Sequence, residues 1–368
     1  AYEFIIKDKK YFLPAEDFIK LELTTRDTLS LKFHALELLQ DLVKFHINDE
    51  KKDALIDADL KRLQFIYQNT VNPDKINLYE NALIVLKEKY KVLSASAEVS
   101  YTLANLYFQL GSKYNPLVSD EYKWYKKKAY DICVDIIELF PDTFGAENSR
   151  SLLQRIKEKI LSLNVEKVNI PHKPILALFK YKNINQVYFR IIKLSFEEKS
   201  NYLLNNYYDE ILNKFLEKEP IKEWPTTLPD DDFNQHSVEI KLPELGLGYY
   251  IVLISHKKDF DLEDNGIAYS PFTVSNISYI QRRTKDDIIE FHVFNRETGE
   301  SIKDVKANIW FKVYNYTKRK TEIKKAKEEF LSDYYGYFHI RLPIKFDEKA
   351  RNFYVSFTKD NDKLISSE

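Results

Sequence analysis

Apolar residues recur at helical spacing through the first part of the chain and at alternate positions through the rest. Ala129, Ile132, Cys133, Ile136, Ile137 and Phe140 form an i, i+3, i+4, i+7 stripe that Pro141 stops. Val99, Leu103, Leu106, Tyr107 and Leu110 form another, closed by Gly111 where a helix ends on a left-handed residue. Further stripes over Leu31–Phe45, Leu55–Tyr67, Leu78–Tyr90 and Ala146–Leu163 complete six helices joined by polar links. Such a series predicts a stack of α-hairpins.

One helix pair is similar to the tetratricopeptide repeat. Leu103–Gly111 (LANLYFQLG), then Ala129, Cys133, Ile136 and Pro141, carry its small, aromatic and proline positions, with Ala104 and Ala129 small enough to let two helices approach. The connection from Gly111 to Ala129 is roughly a dozen residues longer than that repeat allows. The copy is therefore degenerate, and an ordinary helical bundle is the other reading.

After Ile170-Pro171 the period becomes two. ILALFKYKN and QVYFRIIKL flank a turn at Asn183–Asn185, and a helical insertion follows at 196–218, with Tyr207, Ile211 and Phe215 on one face of Leu203–Leu216. HSVEIKL, YYIVLISH and IAYSPFTVS resume the strands; YIQRR, DIIEFHVFN, KANIWFKVYNY, GYFHIRL and NFYVSFTK form a second set. Short alternating runs separated by polar turns predict antiparallel Ig-like sandwiches. The chain thus divides into a helical, tetratricopeptide-like domain (1–165), a first sandwich carrying the insertion (166–276) and a second sandwich (277–368).

Composition narrows the function. Lys and Arg number 56 against 57 Asp and Glu in 368 residues, and a chain so balanced lacks the basic surface that phosphate contacts demand, so nucleic acid is not an expected partner. No apolar run reaches the length of a membrane span. A single cysteine forbids an intrachain disulfide. The chain begins at Ala1 and has no Met, a start that either a processed export signal or trimming of a longer chain would explain. Only 7 glycines stand beside 26 Tyr and 24 Phe, which favours half-buried strand surfaces over phosphate-cradling loops.

Motifs for catalysis are missing. Asp259–Gly266 (DFDLEDNG) gathers oxygen ligands but puts Asp264 where a calcium loop needs glycine, so it reads as an inter-strand loop, as does Asp230–Asp232. The histidines are scattered: His34 and His46 lie near opposite ends of one helix, and His236, His256, His292 and His339 have no close partner in sequence. Nucleophile elbow, Walker and dinucleotide-binding glycine patterns are absent. The basic run Tyr316–Phe330 is broken by Glu322, Glu328 and Glu329 and reads as a charged loop or sheet edge rather than a polyanion site. Trp224–Pro229 reads as a connector. The sequence predicts no enzyme, no catalytic residue, no cofactor and no metal.

The order of segments resembles a family. ELFPDTFGAENSRSLLQRI, VNIPHKPILALFKYKNINQVYFRI, YYIVLISH with YSPFTVSNISYI, and EFHVFNRETGESIKDVKANIW with DYYGYFHIRLP are similar to the amino-terminal part of bacterial alpha-2-macroglobulin-like proteins of the large Bacteroidetes type. There a helical region precedes the first macroglobulin-like domains. In the last segment Asn295–Gly299 and Asp333–Gly336 read as turns whose glycines take positive φ. Trapping members of this superfamily carry a thioester in a Cys-x-Glu-Gln motif; here Cys133 sits in DICVDI on an apolar helix face, with no Glu-Gln after it.

The resemblance implies an amino-terminal scaffold of a parent that inhibits proteases or captures proteins. That parent would be extracytoplasmic, in the periplasm or cell envelope, with room for membrane attachment through a lipid anchor. A helical stack offers a docking face, on which Tyr101, Tyr107, Tyr122, Trp124 and Tyr125 are the candidate protein-binding residues, or else aromatics that close the repeat core. The rival from another class is a stand-alone cell-envelope adaptor or adhesion protein with Ig-like spacers. A carbohydrate-active enzyme with accessory sandwiches would need a carboxylate pair in an aromatic cleft, which the domain order does not favour.

Overall fold

The computed structural model describes residues 3–199, 208–229, 231–263, 265–315, 320–341 and 353–366. Ala1–Glu158 together with Asp231–Asn234 make one unit, and Lys159–Asp230 with Gln235–Glu368 make the other.

The first unit is helical. A 3₁₀ turn at Lys9–Phe12 leads into α1 (Ala15–Phe18), α2 (Leu31–His46), α3 (Asp53–Asn69), α4 (Lys75–Lys89), α5 (Ser96–Gly111), α6 (Tyr125–Leu139) and α7 (Phe144–Lys157). Ser30 caps α2 by accepting from the Phe33 N–H at 3.3 Å, and Thr143 caps α7 through Ala146 at 3.2 Å. From α2 to α7 each helix packs on the next, and α5 also meets α7, so the stack is built from sequence neighbours.

Small residues set the closest approaches. Ala104 and Ala129 are fully buried. A Cβ on Gly111 would lie 2.7 Å from Lys126 Cγ and 2.9 Å from Lys126 N, at the start of α6. Gly111 belongs to α5 itself and is not among the positive-φ residues, so the glycine serves helix contact rather than the left-handed cap expected from sequence. Gly145 likewise lets α7 sit against Ala97 of α5. The segment Asp231–Asn234 joins this unit through Phe233, whose ring stacks on Tyr130 at 4.8 Å, and through Asn234 Nδ2, which donates to Lys123 O at 2.7 Å.

The helical period over Ala146–Leu163 overshoots. Helix α7 ends at Lys157, and Ile160–Val165 is strand β1. Leu153, Ile156, Ile160 and Leu163 keep helical spacing, but Leu161, Leu163 and Val165 also alternate. Antiparallel pairing with Ile175–Lys182 (β3), Leu163 opposite Phe179, decides for the strand.

In the second unit β1 and β3 form a sheet with β6 (His236–Leu242), ordered β1-β3-β6. Facing it is the sheet β2-β8-β7-β4-β5, from β2 (Val168–Asn169), β4 (Gln186–Leu194), β5 (Lys222–Thr227), β7 (Gly248–Ser255) and β8 (Ile267–Val274). Phe179 and Tyr181 from one sheet meet Phe189, Val252 and Phe272 from the other in a shared core. The pairs are antiparallel except β2 with β8, a short parallel pair. The other two sheets are β13-β10-β9 and β12-β11-β14-β15, built from β9 (Ile277–Arg283), β10 (Ile288–Asn295), β11 (Lys306–Asn315), β12 (Lys320–Leu331), β13 (Tyr337–Arg341), β14 (Phe353–Lys359) and β15 (Asp362–Ile365). Phe291, Val293, Ile309, Phe338 and Phe357 fill the core between them.

Strand β7 is apolar at successive positions because both its faces are covered. Tyr250, Val252 and Ile254 point into the sandwich. Tyr249, Ile251 and Leu253 lie under helix α8 (Tyr208–Leu216), whose Leu212 and Phe215 are buried on them. The insertion expected at 196–218 is therefore helical where described; its residues 200–207, with Tyr207, lie outside the described residues. The basic run is an edge strand rather than a loop from Lys320 onward, its first residues 316–319 lying outside the described ones.

Candidate functional site

Among the described residues no group of three His, Cys, Asp or Glu converges on a point that could hold a metal ion. In the loop Asp259–Gly266, whose Asp264 lies outside the described residues, the carboxylates of Asp259 and Asp261 bond to the loop's own backbone. Asp259 Oδ1 accepts from Asp261 N and Asp261 Oδ1 from Glu263 N, both at 3.2 Å, while Asn265 Nδ2 donates to Ser255 Oγ at 2.9 Å. Cys133 is buried, and burial pushes its thiol up to about 11, far from a reactive thiolate.

The candidate aromatics fall into separate places. Tyr107 on α5 is buried and donates its hydroxyl to Glu80 Oε1 on α4 at 2.8 Å. Its ring meets Tyr125 edge-on at 5.3 Å, and Tyr125 meets Tyr122 in the same way at 5.3 Å. Lys128 Nζ stands 4.4 Å from the Tyr125 ring and 5.4 Å from that of Tyr107. Burial raises the Tyr107 hydroxyl above the usual phenol range, and the carboxylate of Glu80 raises it further. Tyr107, Tyr122 and Tyr125 therefore pack as one cluster where α5 meets α6. Trp124 stays exposed with Lys123 over its ring at 5.1 Å. Tyr101 packs also against a separate small cluster of Ala97, Ile136 and Ala146.

Two apolar grooves lie in the helical unit. The first, about 380 Å³, runs between the 3₁₀ turn, α1, α3 and α4; Phe12, Leu13, Leu63, Ala82, Val85 and Leu86 wall it. Glu16 and Lys89 form an ion pair at its rim. At its base lies Arg62, fully buried, with Nε donating to Asp59 Oδ1 at 2.7 Å and Nη1 to Tyr11 O at 2.7 Å. The guanidinium also lies over the Phe18 ring at 4.3 Å. Burial pushes the Asp59 carboxyl up and the Arg62 guanidinium down, and the opposite charge of each partner resists the shift. A guanidinium keeps its proton in proteins, so the pair is ionic. The second groove, about 340 Å³, is walled by Val92, Ile132, Ile136, Leu139 and Phe140, with Lys87, Glu88, Lys91 and Asp135 around it.

Sequence reading passed over the first groove. The signal was present: Leu55, Ile56, Leu63 and Ile66 form the inner stripe of α3, and Asp59 and Arg62 occupy inward positions of that stripe. Charged residues one turn apart on a core face mark a buried pair.

No family model matches the chain, and no curated protein matches it. Solved structures do. Native alpha-2-macroglobulin from Escherichia coli spanning domains MG0-NIE-MG1 aligns over 56% of this chain and 63% of its own, at 14% identity and a TM-score of 0.39. The NIE-MG1 piece of the same protein aligns over 56% of this chain and 96% of its own, at 14% identity and a TM-score of 0.36. The native conformation of the whole Escherichia coli protein aligns over 56% of this chain and 12% of its own, at 14% identity and a TM-score of 0.30. The chain thus spans less than two thirds of the first of these structures. A bacterial alpha-2-macroglobulin is thus among the structural neighbours.

Proposed function

We propose that the chain is a non-catalytic, amino-terminal scaffold and binding piece of an alpha-2-macroglobulin-like protein. Its parent captures proteins, proteases among them, in the periplasm or cell envelope. The observation that carries this reading is the distribution of apolar surface and charge in the helical unit. Two apolar grooves are open to solvent, while the buried charges under the first of them, Asp59 and Arg62, are bonded to each other. Such a unit suits apolar side chains of a protein partner, and the bonding of its buried ion pair fits a binding rather than a catalytic role. The sandwiches serve as frame, and the sequence resemblance supplies the parent and its compartment.

The test uses the whole protein that contains this chain. It is incubated with a panel of proteases, and its fragments are sized while large and small substrates report residual activity. Cleavage at one site, with large substrates protected and small ones still hydrolysed, is the expected result. Ragged degradation without protection sinks the capture reading and leaves a cell-envelope adaptor built of helices and sandwiches.

A further inference from the structure

Helix α2 carries two apolar stripes. Phe33, Leu36 and Val43 face inward and belong to the helical core. Leu31, Ala35, Leu38, Leu42 and Phe45 recur at alternating steps of 4 and 3. At about 100° per residue they occupy a sector of roughly 80° on the side opposite that core. The large residues among them are open to solvent, with Ala35 half-buried between them: Leu31 is 84% exposed, Leu38 69%, Leu42 39% and Phe45 76%, and Leu29, just ahead of the Ser30 cap, is 87% exposed. A lone exposed leucine needs no explanation. A 4-3-4-3 seam running the length of a helix is the pattern by which one helix packs knobs into the holes of another.

We propose that this seam pairs with α2 of a second copy of the chain, antiparallel about a two-fold axis. The seam is self-complementary in that arrangement. Setting Leu31 level with the partner's Leu42 sets Ala35 level with the partner's Leu38, so a small residue faces a large one, and the two-fold repeats both layers. Leu29, beyond the helix start, then lies close to the level of the partner's Phe45. The flank is complementary in charge, because the same register brings His34 beside the partner's Asp41, twice about the axis. Both ring nitrogens of His34 face acceptor oxygens, Nε2 3.0 Å from Thr28 O and Nδ1 3.1 Å from Glu37 Oε2, and these contacts raise the imidazole above its ordinary value, which favours its charged form. Antiparallel pairing also sets the two helix dipoles head to tail. A contact built on one helix of 16 residues is small, so the association is weak, with Kd on the order of 10–100 µM.

Sedimentation velocity on this chain, from about 1 to about 500 µM, reads the equilibrium directly. A reversible dimer is expected. Leu38→Glu, at a position exposed in the monomer, leaves the far-UV spectrum and the melting temperature unchanged and raises Kd at least about tenfold. Asp41→Arg raises Kd as well, and adding His34→Glu to it restores the affinity, because positions 34 and 41 face each other across the axis. A chain that stays monomeric at the top concentration overturns the proposal, and so does a dimer indifferent to Leu38→Glu. A dimer weakened by Asp41→Arg but not rescued by the double change overturns the antiparallel register.

Discussion

In the helical unit an arginine and an aspartate lie inside the core while leucines, valines and phenylalanines line grooves and a helix face on the outside. In the β unit the most apolar strand, β7, is covered on both sides, by the opposite sheet and by α8. One unit buries an ion pair beneath an open apolar groove; the other covers its most apolar strand on both faces, with an inserted helix on one of them, while Leu176, Ile280 and Leu331 stay exposed elsewhere on its sheets. Open apolar surface is a source of binding energy, so under the proposed function the grooves of the helical unit make the partner contacts and the sheets serve as frame.

The sharpest way to break this contrast is to remove half of the buried pair. Arg62→Met leaves the Asp59 carboxylate without its partner inside the core, and a loss of about 3–5 kcal/mol is expected from urea unfolding followed by the helical signal. Asp59→Leu combined with Arg62→Met recovers most of that loss, since neither charge then remains buried. A single variant as stable as the parent would mean that water reaches the pair and that the groove floor is wet.

On the β side the largest effect falls on a turn. Gly336 has φ of 72°, its N–H donates to Asp333 O at 3.0 Å, and an added Cβ would collide with Val293 O. Asp333 Oδ1 holds the same turn by accepting from Tyr335 N at 2.9 Å and Tyr337 N at 2.8 Å. Gly336→Ala should cost the β unit about 3 kcal/mol, read from its own thermal transition. Gly299, with φ of 75° and open space around it, should tolerate alanine at a cost nearer 1 kcal/mol. The two glycines share a conformation, so the difference isolates the close backbone approach at Gly336.

These turns were legible in the sequence, because Asn-x-x-x-Gly and Asp-x-x-Gly between alternating runs leave few other readings. The sandwiches were legible for the same reason, since period two persists over strand after strand. What the sequence hid were the places where one residue satisfies two patterns. Leu163 fits both a helix from Leu153 and a strand from Leu161, and only its pairing with Phe179 decides. Gly111 fits both a helix cap and a close helix contact, and only the position of Lys126 decides. Asp59 and Arg62 were hidden differently: charges usually mark the solvated face, and a buried pair shows only when the inner stripe is traced through them.

Cys133 offers a smaller probe of the helical core. Burial lifts its thiol from 9.0 to about 11. A raised folded-state value means the folded chain holds the proton longer, so this stability is whole below pH 9.0 and is lost as pH rises toward about 11. The difference in unfolding free energy between the parent and Cys133→Ala, from urea titrations, should therefore shrink by roughly 2 kcal/mol across that window. A difference that stays flat with pH would place the thiol in contact with water.

The finest comparison lies within the candidate aromatic surface. Tyr107→Phe keeps the ring against Tyr125 and removes the hydroxyl that Glu80 accepts, leaving Glu80 one donor short in a half-buried place. A loss of about 1 kcal/mol is expected. Trp124→Ala removes an exposed ring whose nearest cation, Lys123, is its own chain neighbour, so stability should change by less than about 0.5 kcal/mol. If partner binding falls with Trp124→Ala while stability does not, the exposed ring is the contact and the tyrosines are its support. If Tyr107→Phe instead weakens binding with no loss of stability, the cluster opens when a partner arrives, and the line between core and surface in this unit has to be redrawn.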